Sequence, residues 1–179
     1  MKTKLIAVLL MAFASVLFAQ KYDYSSEPGY VDFGNLASLD AGKSATEVLI
    51  EKNLLKMVAK MSKSEEPDLF NLLSGLKLIK VNVFEIDSTA FGKAKDKIEK
   101  LTKDLSSSGW DRLVKTRGEK ENASVLIKTQ GEDNIVGLVV MTVDKGGEAA
   151  FVNIVGKIDL ETIGSLSGKF DVPGLENVK

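Results

Sequence analysis

The sequence has no cysteine and no histidine among its 179 residues. Without cysteine, the chain has no disulfide, no thiolate metal site and no thiol nucleophile, and it lacks the residue that bacterial lipoproteins acylate. Without histidine, a Ser-His-Asp triad, a Cys-His pair and histidine metal ligation are all excluded. The chemistry that remains is a Ser–Lys dyad, a pair of carboxylates or an oxygen-only metal site.

The motifs nearest to this remaining chemistry do not fit it. Ser74 and Lys77 form the one S-x-x-K match, but Gly75 is typical of a helix end, and no S-D-N or K-T-G motif follows. Residues 164–169 have one residue too few between their glycines for a phosphate-binding loop, and Phe170 stands where that loop needs Ser or Thr. With 25 acidic residues, some carboxylates lie close together whatever the function. We therefore predict no catalytic residue, no cofactor and no metal ligand.

An excess of charge of either sign is also lacking. The chain has 24 basic and 25 acidic residues, which gives a net charge of −1. Nucleic-acid binding requires basic residues concentrated on one face, and here they are spread along the chain. We predict no nucleic-acid partner.

The first residues have the order of a secretory signal peptide. Lys2 and Lys4 give a basic start, residues 5–18 form an apolar run, and Ala19 is a small residue at the expected cleavage site. The alternative, a membrane anchor, needs about 20 apolar residues to cross a bilayer. We expect an exported protein, periplasmic or secreted, with no stable membrane insertion after signal cleavage. Leu17 is unusual so close to the cut and leaves the cleavage position open.

The length of the chain predicts one hydrophobic core. We divide the chain into a signal peptide (1–19), a polar N-terminal arm (20–45), a single α+β domain (46–170) and a C-terminal tail (171–179). The bulky residues of the arm are aromatic, and we interpret it as tucked against the core by them. A tether or docking peptide is the alternative.

Residues 46–62 fit two structures. Ser44 and Glu47 could form a capping box that starts one long helix. Alternatively, the segment EVLIE is a strand and Asn53 caps a separate helix, which is the interpretation we favour. The apolar residues that share one face of that helix are Leu54, Met57, Val58 and Met61. We interpret the methionines as core filler.

Three further helices are predicted. One covers 65–75, with Pro67 in its first turn and a glycine at its end. A long one covers 90–107, with apolar residues at helical spacing on one face and lysines on the other. We predict burial for Ile98 and Leu101 and exposure for Lys97 and Lys100. A short helix capped by Asp159 is expected near the end of the chain.

Residues 121–160 contain three apolar runs separated by the turns QGEDN and DKGGE, a pattern typical of an antiparallel meander. Segment 110–117 is predicted as its first strand, and segment 76–87 as an earlier strand. The order is therefore β, two helices, β, helix, four strands, helix. It predicts an α+β fold with a mainly antiparallel sheet, a C-terminal four-strand meander and packed helices.

The strand predicted over 134–143 is apolar on both faces, which is typical of a strand covered on both sides. One face carries Ile135, Val139, Met141 and Val143. The other carries Val136, Leu138 and Val140. We predict that the helices between Asn53 and Gly75 cover this second face, and a second molecule is the alternative. If the helices instead leave this face bare, it is the best candidate partner site, and Val136, Leu138 and Val140 are our candidate partner surface.

Several blocks of the chain together resemble a known family. They are EPGYVDFGNL, EVLIEKNLLKMVAK, the long helix, and the meander that ends in VNIVGKIDLETIGSL. They resemble the exported bacterial proteins of the domain of unknown function 4252 family, over most of the chain after the signal peptide. The resemblance implies a small envelope protein. It brings no functional residues with it, because the family has no assigned activity, and the shared blocks are apolar packing patterns rather than catalytic motifs.

Three hypotheses for function follow from these patterns. The leading one is an exported, soluble, non-enzymatic accessory or protein-interaction domain of the envelope, with an unknown protein partner or a weak homo-oligomer. The second is a small-molecule binding module with an apolar pocket between sheet and helices. The third is a histidine-free hydrolase, which needs a buried pair of carboxylates with a raised pKa.

Overall fold

The structure, a computed structural model, describes residues 22–36, 39 and 44–159. Within these residues a short 3-10 helix (Tyr24–Ser26) is followed by three α-helices and six strands. In chain order they are β1 (Ala45–Glu51), α1 (Lys52–Ser62), α2 (Pro67–Gly75), β2 (Leu76–Glu85), α3 (Ser88–Ser107), β3 (Asp111–Arg117), β4 (Glu121–Gln130), β5 (Asn134–Asp144) and β6 (Glu148–Ile158). This order agrees with the predicted one as far as the last strand.

All six strands join one antiparallel sheet in the order β1-β2-β6-β5-β4-β3. The last four strands of the sequence are consecutive neighbours, so the predicted meander and the α+β class are confirmed. β2 pairs with β6 at the open side of the meander, and α3 must then cross one face of the sheet to reach the far edge strand β3. Its 20 residues span roughly 30 Å, which is long enough for that crossing.

α3 starts at a side-chain cap. Asp87 accepts hydrogen bonds from the backbone N–H groups of Thr89 and Ala90 at 2.9 and 2.8 Å, which satisfies two free donors of the first turn. The buried residues of the helix are Ala90, Ala94, Ile98, Thr102 and Leu105. They turn toward β4 and β5, and we call the side of the sheet beneath them the α3 face.

The predicted burial pattern of this helix holds for two of four residues. Ile98 is buried and Lys100 is exposed, as predicted. The prediction of burial for Leu101 holds only in part, because this residue packs against the core but is half-buried. Lys97 is half-buried instead of exposed. The arm passes beside it, and a Cβ placed on Gly34 would lie 3.4 Å from the Lys97 Nζ.

The N-terminal arm closes another part of the α3 face. Val31 and Phe33 are buried in the core, and the Phe33 ring centroid lies 5.7 Å from that of Phe151. Asn153, which is fully buried, accepts a hydrogen bond from the Val31 N–H at 2.8 Å and donates one to the Gly29 carbonyl at 2.9 Å. The interpretation of an arm held against the core by aromatic packing is therefore confirmed for Phe33.

The arm crosses β5 where two glycines face each other. A Cβ on Gly29 would lie 1.9 Å from the Val136 carbonyl oxygen, and one on Gly137 would lie 2.5 Å from the Gly29 Cα. The Gly137 Cβ would also meet the Trp110 ring at 2.7 Å. Only residues without a side chain allow this close approach of the two backbones.

A β-bulge changes the alternation of β5 at the same place. In the pairing with β4, the single step from Lys128 to Thr129 corresponds to two steps from Gly137 to Ile135, so Val136 is the extra residue. In the pairing with β6 the extra residue lies on β6, between Val155 and Ile158. Ile135 consequently packs in the same cluster as Leu138, on the face opposite to Val139. The prediction that Ile135 and Val139 share a face is wrong, because a period of two does not hold across a bulge.

The strand-then-helix interpretation of residues 46–62 is confirmed by β1 and α1. The N-cap residue is Glu51 and not the predicted Asn53, and its side chain makes no capping hydrogen bond. α1 and α2 both lie on the second side of the sheet, which we call the α1–α2 face. The helices between Asn53 and Gly75 therefore cover the face for which they were predicted, although only in part.

The signal peptide, the helix expected after Asp159 and the C-terminal tail lie outside the described residues. The same holds for residues 164–169. Within the described ranges, no helix has both the length and the apolar character needed to cross a membrane.

Candidate interaction surface

A row of valines crosses the α1–α2 face from one edge of the sheet to the other. Each of the six strands contributes one valine, and each valine is paired in register with the next. In sheet order they are Val48, Val81, Val152, Val140, Val125 and Val114. We call these residues the valine row. Because residues paired across neighbouring strands project on the same face, the six side chains form one continuous apolar strip.

α1 and α2 cover the neighbouring row and not this one. Two positions along each strand, toward the end where β1 leads into α1, the sheet carries Ile50, Ile79, Ile154, Leu138 and Ile127. Four of these pack in a cluster with Leu55 of α1 and Leu73 of α2. Within the described chain, no residue of the valine row belongs to that cluster or to the core of the α3 face.

The reason for this partial cover is the length and attachment of the two helices. They have 11 and 9 residues, and both are joined to the same end of the sheet, where β1 ends and β2 begins. The valine row lies roughly 7 Å further along the strands, at a rise of about 3.4 Å per residue. Cover therefore ends between the two rows.

The valine row is partly open to solvent. Val48, on the edge strand, is 39% exposed, and the other five valines are half-buried. On an open sheet, neighbouring strands shield the flanks of a side chain but not its tip. The next row on the far side consists of threonines, alanines and one valine, Thr46, Val83, Ala150, Thr142, Ala123 and Thr116. Neither row contains a charged residue.

α1 carries a second exposed apolar surface. Leu55, which is 2% exposed, and Ala59 turn toward the protein. The residues that turn away are Leu54, Met57, Val58 and Met61, with exposed fractions of 46, 58, 41 and 77%. We call these four residues the α1 stripe. Their spacing of i, i+3, i+4 and i+7 places them on one side of the helix, as predicted.

The interpretation of the α1 methionines as core filler is wrong. A hydrophobic stripe ordinarily marks the buried side of a helix, but the connections to β1 and α2 turn the line of Leu55 and Ala59 toward the protein instead. Six of the eight exposed large hydrophobic residues of the described chain belong to β1 and α1. Exposed apolar residues are normal singly, whereas a concentration of them marks an interaction site.

The three residues of the predicted partner surface are not brought together. Val140 lies in the valine row. Leu138 lies in the covered row and packs in the cluster with Leu55. Val136 is the bulged residue, and its carbonyl lies against Gly29 of the arm. Of the three, Val140 is the one that the two helices leave uncovered.

Sequence reasoning missed five of the six valines of the row as partner residues. Each strand has its own alternation, and which apolar residues of different strands align depends on register. The sequence does indicate that α1 is amphipathic, because Lys52, Lys56 and Lys60 recur every four residues beside the apolar stripe. That pattern does not indicate which side of the helix packs against the sheet.

The S-x-x-K pair has no dyad geometry. Ser74 is exposed near the end of α2, and Lys77 belongs to β2. The Lys77 Nζ lies 2.6 Å from the Glu27 Oε2 of the arm and forms an ion pair with it. Lys77 thereby holds the pKa of Glu27 below its ordinary value, with a smaller contribution from the Tyr22 hydroxyl. This lysine stabilises the arm and does not face a serine.

Acidic side chains in the part of the chain that is described are the candidates for an oxygen-only metal site or a carboxylate pair. No cluster of three or more acidic side chains lies close enough to hold a metal ion there. The pKa of Asp23 is lowered by its hydrogen bonds with Ser25, and that of Glu27 is lowered as well. Both shifts are opposite to the raised pKa that a catalytic acid of a carboxylate pair needs.

A cavity of about 380 Å³ lies between α3 and β3. It is lined by Glu99, Thr102, Lys103, Ser106, Ser107, Arg112 and Lys115. All of these side chains are polar or charged. The cavity therefore differs from the apolar pocket that the small-molecule hypothesis places between sheet and helices.

Comparison with known protein families finds a match. The family described as Domain of unknown function (DUF4252) matches residues 40–166, which include the three α-helices and six strands of the described chain. No curated protein and no solved structure matches this chain.

Proposed function

We propose that this chain, which belongs to the DUF4252 family, is an exported, soluble, non-enzymatic interaction domain of the cell envelope. Its partner surface is the valine row together with the α1 stripe. The partner is a protein that offers an apolar surface of its own, either another envelope protein or a second copy of this chain.

The valine row is the observation that carries this proposal. Burial of apolar area contributes roughly 25 cal/mol per Å², so an uncharged strip across six strands is a favourable surface for association. Protein interfaces are depleted in charged residues at their centre and are polar at their rim. The row has this composition, with hydroxyl and alanine residues beside it and charged residues outside.

Export rests on the sequence of residues 1–19, with its basic start, apolar run and small residue before Gln20. The absence of cysteine is compatible with export, because the fold does not depend on a disulfide. The mass of the protein recovered from the envelope tests export. A mass that still includes residues 1–19 would contradict it.

Site-specific photo-crosslinking in intact cells tests the partner surface. A photoreactive residue placed at Val140 or Met57 should form an adduct of defined mass after illumination. The same residue at Lys93, on the exposed side of α3, serves as the control and should give no such adduct. An adduct of twice the mass of the chain identifies a second copy as the partner.

A variant of the surface separates specific binding from chance contact. Val81→Thr with Val152→Thr keeps the size of both side chains and makes the centre of the row polar. We expect loss of the Met57 adduct in a protein that remains folded, with a loss of unfolding free energy below about 2 kcal/mol. Equal adduct yields at Met57, Val140 and Lys93, or yields unaffected by the two threonines, would overturn the proposal.

A further inference from the structure

The polar cavity between α3 and β3 brings cationic side chains from two elements together. Lys103 comes from the exposed side of α3, and Arg112 and Lys115 come from β3. Within the described chain none of these three makes an ion pair. Three unpaired cations on one cavity are a local excess of positive charge in a chain whose net charge is −1.

The one acidic residue of the cavity does not neutralise them. The Glu99 Oε1 lies 3.2 Å from the Arg117 Nη2, so this carboxylate already has a cationic partner outside the cavity lining. Counting Arg117 with the three lining cations against Glu99 leaves the region positive. A region of net positive charge attracts anions from solution.

The direction of the two β3 side chains distinguishes this site from ordinary protection of a sheet edge. Charged residues on an edge strand often prevent strands of other molecules from pairing there. Arg112 and Lys115 pair in register with Leu126 and Ser124, which are buried under α3. Their side chains therefore project over the α3 face, toward the helix, and line a cavity with it.

Hydroxyl groups complete the lining. The Thr102 hydroxyl donates to the Ile98 carbonyl at 2.7 Å and lies 3.0 Å from the Ser124 Oγ. The Ser107 hydroxyl donates to the Lys103 carbonyl at 3.0 Å. Ser106 lines the cavity and has no hydrogen-bond partner for its hydroxyl within the described residues. It is available as a donor to a bound oxygen atom.

From this geometry we propose that the α3–β3 cavity binds an oxyanion with two negative charges, of the phosphate monoester class. A guanidinium presents paired N–H donors that match phosphate oxygens, and two ammonium groups add charge. Three cationic groups carry more positive charge than a single carboxylate would neutralise, which favours a ligand with two negative charges. A cavity of about 380 Å³ is at the small end of ligand sites, so the remainder of the ligand is a small polar group such as a sugar.

Amide NMR shifts of the folded protein, recorded during titration with sodium phosphate, glucose 6-phosphate or glucose at constant ionic strength, test this proposal. We expect both phosphates, and not glucose, to shift the signals of Ser106, Ser107 and Lys115. Tighter binding of glucose 6-phosphate than of phosphate identifies a soluble ester as the ligand class. Equal binding of the two identifies the phosphate group alone as the determinant.

Paired charge variants provide the control. Arg112→Gln with Lys115→Gln should weaken phosphate binding by about tenfold or more, since charge-assisted hydrogen bonds are lost. Lys93→Gln with Lys145→Gln removes the same charge from exposed positions outside the cavity and should leave the affinity unchanged. Equal weakening by both pairs, or shifts of the same size with sodium chloride, would overturn the proposal. Unchanged melting temperatures establish that either result concerns binding.

Discussion

The two faces of the sheet are equally aliphatic along their central strands but are covered in different ways. The α3 face lies under a 20-residue helix and the N-terminal arm, and Val139, Met141 and Phe151 are fully buried there. The α1–α2 face lies under two helices of 11 and 9 residues, and within the described chain neither helix covers the valine row, which is half-buried except for the exposed Val48. The aliphatic content of a sheet face therefore does not determine how much of that face is covered. The length of the covering helices and the point where they join the sheet determine it.

The comparison predicts its largest effect at the centre of the closed face. Phe151→Ala should lower the free energy of unfolding by roughly 3–5 kcal/mol, because it leaves a cavity beneath Phe33 and Phe84. Urea denaturation measures the change. A loss below about 1 kcal/mol would mean that the α3 face repacks freely, and the distinction between the two faces would fail.

Two adjacent leucines of α1 test the cover of the other face. Leu55→Ala should cost roughly 2–5 kcal/mol, since Leu55 is 2% exposed within the cluster under the helices. Leu54→Ala, at 46% exposure in the α1 stripe, should change the unfolding free energy by less than about 1 kcal/mol. Denaturation of both variants under one set of conditions checks the ratio. Equal costs would show that the α1 stripe is buried in solution.

The arm that helps to close the α3 face is attached through Glu27, whose side chain is 10% exposed. Glu27→Gln should lower the unfolding free energy at pH 7 by roughly 1–3 kcal/mol, because the charged hydrogen bond to Lys77 is lost. The pKa of Glu27 is lowered in the folded protein, so its contribution is present above the unfolded carboxyl's ordinary value of 4.5 and is lost as the pH falls through the folded pKa.

Melting curves of wild type and Glu27→Gln from pH 7 to pH 3 measure this dependence. We expect the difference between them to shrink below about pH 4.5. A difference that grows as the pH falls would mean that the ion pair does not stabilise the folded arm. Glu119→Gln, in the turn before β4, removes the same charge from an exposed position and serves as the matched control, and its melting curves should stay close to those of the wild type.

The smallest effect is expected in the valine row. Val140→Thr should cost less than about 1 kcal/mol, because the new hydroxyl meets solvent on the open side of the sheet. Val139→Thr, one residue away on the closed face, should lower the unfolding free energy by roughly 1–3 kcal/mol, because the new hydroxyl is buried among apolar side chains. Thermal melts of the two variants distinguish a solvent-exposed valine row from a covered one. Equal losses would show that the valine row has cover.

The structure also changes the choice of a surface variant. Sequence reasoning treats Leu138 as equivalent to Val140, since both lie on the second face of β5. Leu138 packs in the covered cluster, so a charge there disrupts folding and says nothing about partners. Val140 is the position at which a substitution reports on association.

Local pattern predicted the elements and their order, since hydrophobic spacing of two and of about four residues is a property of neighbours in the chain. It predicted the meander, the strand-then-helix structure of residues 46–62 and the four-residue α1 stripe. It failed at Ile135, where a bulge shifts the alternation, and at Asn53, where Glu51 is the N-cap residue. Asn153 had a signal, as a polar residue among apolar neighbours, although its role in binding the arm required the fold.

By itself, the sequence determined the α+β class, the set of apolar residues that needed cover and the chemistry that the absence of histidine and cysteine excludes. These depend on residue type and spacing, which are complete in the chain. The tertiary structure alone decided which residues were covered. Strand register aligned six valines in one row, the joints of α1 turned Leu55 inward and Met61 outward, and β3 brought Arg112 and Lys115 beside Lys103 of α3. Each of these depends on contacts between residues distant in sequence, which no local spacing records.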